Sequence, residues 1–209
     1  MATAARIGSE FDTTDIRRIV RGSIALGFVQ AVCVLLVSLV NKHLEGTIDH
    51  ALTGIVVAVG ATTTIFWPGM QTRPRTIEGI AGAAGIGLGA TWAFLGFDVA
   101  ILQPLHTYTN RWAQIGGFSN WWYLPVWWMV GTYLSWMGGW ILSNQASRSG
   151  EASLPAAIGL VGVLTGACGA LATTLHFPAA GWNVPTFAVA VLPALALGTL
   201  VTGFGARRP

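Results

Sequence analysis

Apolar residues in this chain come in long unbroken runs, with no strict alternation with polar residues and no narrow helical stripe. A helix needs about 18 or more such residues to cross a hydrocarbon layer roughly 30 Å thick. Six runs meet that length, at about 19–40, 51–68, 79–102, 122–142, 154–175 and 184–204. Continuous apolar character favours helices over the alternating strands of a membrane barrel. The expected fold is an all-α integral membrane protein, a bundle of six transmembrane helices. Residues 1–18 are expected as a cytoplasmic lead-in that is a candidate amphipathic segment, 19–204 as the helical domain and 205–209 as a short cytoplasmic tail. Thr13, Thr14 and Asp15 offer N-cap chemistry before Ile16. The first run is too long for the apolar core of a cleavable signal peptide, and no small-residue cleavage pattern follows it.

Composition agrees. Hydrophobic residues make up 53% of the 209 and charged residues 9%, where a water-facing domain carries about a quarter. Neither a soluble domain nor a disordered chain fits those values. The net charge of +3 does not point to nucleic acid, because the basic residues sit at the ends of apolar runs. Assigned to alternate sides, nine of the eleven lysines and arginines share a side: Arg6, Arg17, Arg18, Arg21, Arg73, Arg75, Arg148, Arg207 and Arg208. Lys42 and Arg111 take the other. The positive-inside rule then places both termini in the cytoplasm, with a bacterial-type plasma membrane as the expected location. Cys33 and Cys168 lie in apolar runs and imply no disulfide framework.

Small residues let membrane helices approach closely. Gly159, Gly162, Gly166 and Gly169 trace one face of the fifth run, and Gly85 and Gly89 form a small-xxx-small pair in the third. These faces are expected to pack on neighbouring helices, in this chain or in a partner subunit. The fourth run carries Trp127, Trp128, Trp136 and Trp140, too deep to be one interfacial belt. They are candidates for helix packing or for flanking an apolar ligand such as a tetrapyrrole, sterol or quinone.

Candidate chemistry gathers on the side away from the arginines. His43, Asp49, His50, His106 and His176 all fall there. Imidazole and carboxylate at one membrane level are potential ligands for copper, zinc or non-haem iron. Their spacing follows no metal motif, and polar residues also collect wherever helices emerge into water. Asp98 lies in an apolar stretch and is a ligand-binding candidate by its depth. Arg111, the only arginine on that side, is a candidate clamp for an anionic group. No phosphate loop or nucleophile elbow is present. A small transporter is a further alternative, although the halves show no repeat and the mid-span positions read as nearly all apolar.

Four stretches resemble the A-type subunit of membrane-bound copper monooxygenases, the particulate methane and ammonia monooxygenase family. They are His43 to His50 after the first run, Gln71-Thr72-Arg73-Pro74-Arg75 before the third, Trp121-Trp122-Tyr123-Leu124-Pro125 opening the fourth, and His176-Phe177-Pro178-Ala179-Ala180-Gly181-Trp182-Asn183-Val184-Pro185 after the fifth. That family's Gly-Asp-Trp-Asp-Phe-Trp motif is replaced by Glu45-Gly46-Thr47-Ile48-Asp49-His50. The resemblance implies a largely structural subunit of a redox or oxygenase complex, with copper as a possible cofactor and other membrane subunits as partners. Pro125-Val126-Trp127, Tyr133 and Met137-Gly138 are similar to a helix of the tryptophan-rich sensory proteins. That likeness implies a stand-alone binder or carrier of an apolar ligand.

Overall fold

A computed structural model of the chain describes residues 14–107 and 123–204, with 123–125 as backbone. Six long helices follow one another: α1 Ile16–His43, α2 Gly46–Thr72, α3 Ile77–Phe97, α4 Tyr123–Ser149, α5 Leu154–Thr174 and α6 Val184–Gly203. No strand occurs among the described residues. Five of the helices are long and apolar enough to cross a membrane; α4, diluted by its tryptophan, tyrosine, serine and glycine residues, is not counted among them.

Each helix agrees with an apolar run in position and differs in length. α1 starts at Ile16, so the end of the expected lead-in is already helical, and Asp15 occupies the N-cap position with no side-chain cap bond. α2 begins at Gly46 and continues past Pro68 to Thr72. α4 extends seven residues beyond the expected 142, to Ser149. Beyond Phe97, α3 widens into a single π turn, Asp98–Leu102, in which the Gln103 amide donates to the Asp98 carbonyl at 2.9 Å.

The bundle is apolar outside as well as inside. On α1 the buried positions are Gly22, Ser23, Leu26, Gly27 and Ala31. Its outward ladder at four-residue spacing is Val20, Ile24, Phe28, Val32 and Leu36, all exposed. Large apolar side chains directed outward along a whole helix suit a hydrocarbon solvent. α1 packs chiefly on α3, α3 also on α4, and α2 on α1, α3 and α4; α6 joins α4, and α5 docks mainly through α6. Glycine allows the close approaches. A Cβ built on Gly27 would lie 2.7 Å from the Ala90 carbonyl oxygen, and one on Gly138 would collide with the Ile65 carbonyl. Gly89 faces Ser23 in the same way, while Gly85 meets nothing within 4 Å.

One residue ties three helices together. Pro68 has no N–H, so the Thr64 carbonyl loses its intrahelical donor. In lipid such a group must find another partner. Ser135 Oγ of α4 donates to it at 2.9 Å. From α1, Gln30 Nε2 donates to the Thr64 hydroxyl at 3.2 Å. Two arginines finish helix ends: Arg18 Nη1 donates to the Gln71 carbonyl and Arg75 Nη1 to the Ala146 carbonyl, each at 3.4 Å. Cations suit those carbonyl-rich C-termini.

A buried carbonyl left without a partner costs about 1–3 kcal/mol. Ser135→Ala is therefore expected to destabilise the protein in mild detergent by about that amount. In a Pro68→Ala background, where residue 68 regains its N–H, the same change is expected to cost under about 0.5 kcal/mol. Thermal unfolding of the four proteins of this cycle measures the difference.

Candidate functional site

Between α1, α2, α3 and α4 lies a cavity of about 350 Å³. Its walls are mostly apolar: Val34 of α1, Val57, Gly60 and Ala61 of α2, Phe94 of α3, and Trp127, Val130, Gly131 and Leu134 of α4. It exists where small residues hold backbones close without filling the space between them. Trp127, Gly131 and Leu134 share one face of α4 by their spacing. Trp127 tilts against Phe94, with ring centroids 6.5 Å apart.

Polar groups are few and specific. Gln30, Cys33, Thr64 and Thr91 line the same cavity. Gln30 stands near the middle of α1, and its hydrogen bond to Thr64 uses one of the two amide N–H groups. The Thr91 hydroxyl donates back to the Gly87 carbonyl at 3.1 Å. A concave, mostly apolar space with a small number of placed polar groups is the usual form of a small-molecule site, and 350 Å³ is at the small end of that class.

Asp98 lies one turn beyond this site. It is 2% exposed and accepts from Gln103 Nε2 at 2.7 Å. Thr91, Phe94 and Asp98 fall on one face of α3 by spacing, so the carboxylate stands above the cavity toward the α1–α2 turn. The π turn adds a residue to that end of α3, leaving Asp98 directed inward while Val99 and Ile101 are exposed.

The four tryptophans of the fourth run face different surfaces. Trp127 lines the cavity. Trp128 stacks on Trp92 of α3, with centroids 4.8 Å apart and planes 20° apart. Trp136 is exposed and Trp140 half-buried. Successive helical residues differ in direction by about 100°, which separates 127 from 128 outright. Arg111 lies outside the described residues.

The four histidines stand at one end of the bundle and are all exposed. His43 ends α1, His50 is in the first turn of α2, and His106 and His176 follow α3 and α5. His50 Nδ1 lies 3.7 Å from Asp49 Oδ2, with the imidazole 80% exposed. Among the described residues no three His, Cys, Asp or Glu side chains are grouped so as to hold a metal ion. The Lys42 ammonium instead donates to the His106 carbonyl at 2.8 Å, and Asp49 accepts from Thr53. The Lys42 bond ties the end of α1 to the turn after α3.

The glycine face of α5 is mostly open. Gly169 packs on Phe187 of α6, whereas a Cβ on Gly159, Gly162 or Gly166 would meet nothing within 4 Å. The reading of the mid-span positions as nearly all apolar overlooked Gln30, Thr64, Thr91 and Ser135. A glutamine at the centre of an apolar span is the signal that marks them.

Compared with protein families, with curated proteins and with solved structures, the chain finds no match.

Proposed function

We propose that this is a six-span protein of the plasma membrane, with both termini in the cytoplasm, that binds an apolar ligand in the cavity between α1 and α4. The arginine distribution supports the orientation. α4 packs on α2, α3 and α6, which supports its counting as a sixth span despite its aromatic content.

The observation that carries the reading is the cavity itself: an apolar space walled by four packed helices, with the Gln30–Thr64 pair on its wall. The matching ligand is a slender apolar molecule with one oxygen function, such as a quinone or a sterol. Its carbonyl or hydroxyl pairs with the second Gln30 N–H or the amide oxygen, and its hydrocarbon body lies against Val57, Ala61, Val130 and Leu134. A flat tetrapyrrole fits less well, because among the described residues no second tryptophan lines the space opposite Trp127.

Photolabelling of the protein in membranes with a diazirine-bearing sterol and an azidoquinone tests this. Label is expected within 57–64 and 127–134. Ala61→Phe, which fills the space, is expected to reduce it about tenfold or more, the factor set by about 1.4 kcal/mol of lost affinity. Gln30→Leu is expected to reduce it about three- to tenfold, the contribution of one hydrogen bond. Label spread over outward residues such as Val163 and unchanged in both variants contradicts the reading.

A second reading is favoured by the open glycine face of α5: the chain is a subunit of a larger membrane assembly. The copper-monooxygenase-like role is one form of it and rests on the four sequence stretches alone. Native mass measurement in mild detergent is expected to show a complex heavier than one chain, broken by Gly162→Leu. A lone monomer throughout removes this reading and leaves the cavity untouched.

A further inference from the structure

A second cavity, of about 450 Å³, opens between the first turns of α1 and the last turns of α2. It is lined by Asp15, Arg17, Arg18, Arg21 and Gln71 and, farther from those helix ends, by Gly22, Ala25 and Trp67. Residues 15 to 25 of α1 span about 15 Å along the helix axis. The space therefore changes from cationic to apolar over a distance that takes in a lipid headgroup and the start of its chains.

We propose that this groove is a binding site for an anionic phospholipid, whose phosphate diester lies among the three guanidinium groups. Charge is the first support. Three arginines face one carboxylate, and among the described residues neither Arg17 nor Arg21 is in an ion pair. Arg18 is already engaged with the Gln71 carbonyl, which fixes one wall of the groove. The second support is Trp67, whose ring supplies apolar wall beyond the arginines, where the start of an acyl chain lies. The third is the helix terminus. Asp15 caps α1 with no side-chain hydrogen bond, so the first-turn amides add donors and a positive field at the mouth. Arginine's planar fork matches phosphate oxygens in pairs, and clustered basic residues at a membrane surface select anionic lipid.

The test uses the full chain in nanodiscs of phosphatidylcholine with a minority of phosphatidylglycerol, released into a native mass spectrometer. The wild-type protein is expected to retain phosphatidylglycerol well above its bulk share. Arg17→Gln with Arg21→Gln is expected to lower that enrichment about tenfold or more. Arg73→Gln with Arg148→Gln removes the same charge from exposed positions at the same end of the bundle and is expected to leave it unchanged. Arg17→Gln alone is expected to weaken retention severalfold and stands as the readout if the arginine pair fails to fold. Equal loss in both arginine pairs reduces the effect to net charge and overturns the proposal. So does equal retention of the two lipids, or displacement of the lipid by excess glycerol phosphate, which would show that the groove takes a soluble phosphate without the chains.

Discussion

Thr64 is the joint on which the bundle depends. Pro68 strips its carbonyl of a donor in a setting where water is not at hand, and α4 answers with the hydroxyl of Ser135. The same residue's hydroxyl receives Gln30 from α1. Three helices are thereby held in register at one depth, and Gly69 beside Gly139 and Gly138 against Ile65 let α2 and α4 come close enough for it. Hydrogen bonds between membrane helices average only about 0.6 kcal/mol each. What gives this one more weight is the penalty avoided at a carbonyl that would otherwise be unpaired.

The cavity follows from the same packing. A membrane protein directs its bulky side chains to the lipid and closes its interior with glycine, alanine, serine and threonine. Small residues permit contact along lines, and between four helices such lines enclose space. Gly60, Ala61 and Gly131 line the cavity because they are small, and the polar members, Gln30, Thr64 and Thr91, are the residues that also bond across or along the helices. The cavity and the architecture thus draw on one set of side chains. The arginines show a comparable double use, with Arg18 finishing the end of α2 while it lines the groove beside α1.

The number and order of the helices were legible in the sequence because an apolar run needs no knowledge of its neighbours. Helix ends were less so. α2 outlasts Pro68 only because a serine from α4, 67 residues later in the chain, satisfies Thr64. The widening of α3 at Asp98 has no local signature. Side-chain direction was the larger difficulty: Trp127 and Trp128 are adjacent in the chain yet serve different surfaces, and histidines at one end of the bundle need not share a site. Gln30 was readable as an anomaly of depth, and a polar residue at the centre of a span is a better guide to such a site than a surplus of aromatics.

The account stands on α1 and α2 meeting at the cavity wall in the described register. A Cβ at Gly60 lies 3.6 Å from the Cβ of Cys33, within the separation that a disulfide bridges, about 3.5–4.5 Å. In native membranes, a Gly60→Cys, Cys168→Ala variant treated with a mild oxidant is predicted to lose both maleimide-reactive thiols and regain them on reduction. Two thiols that stay fully reactive after oxidation, in protein that remains folded, would contradict the packing and the cavity with it.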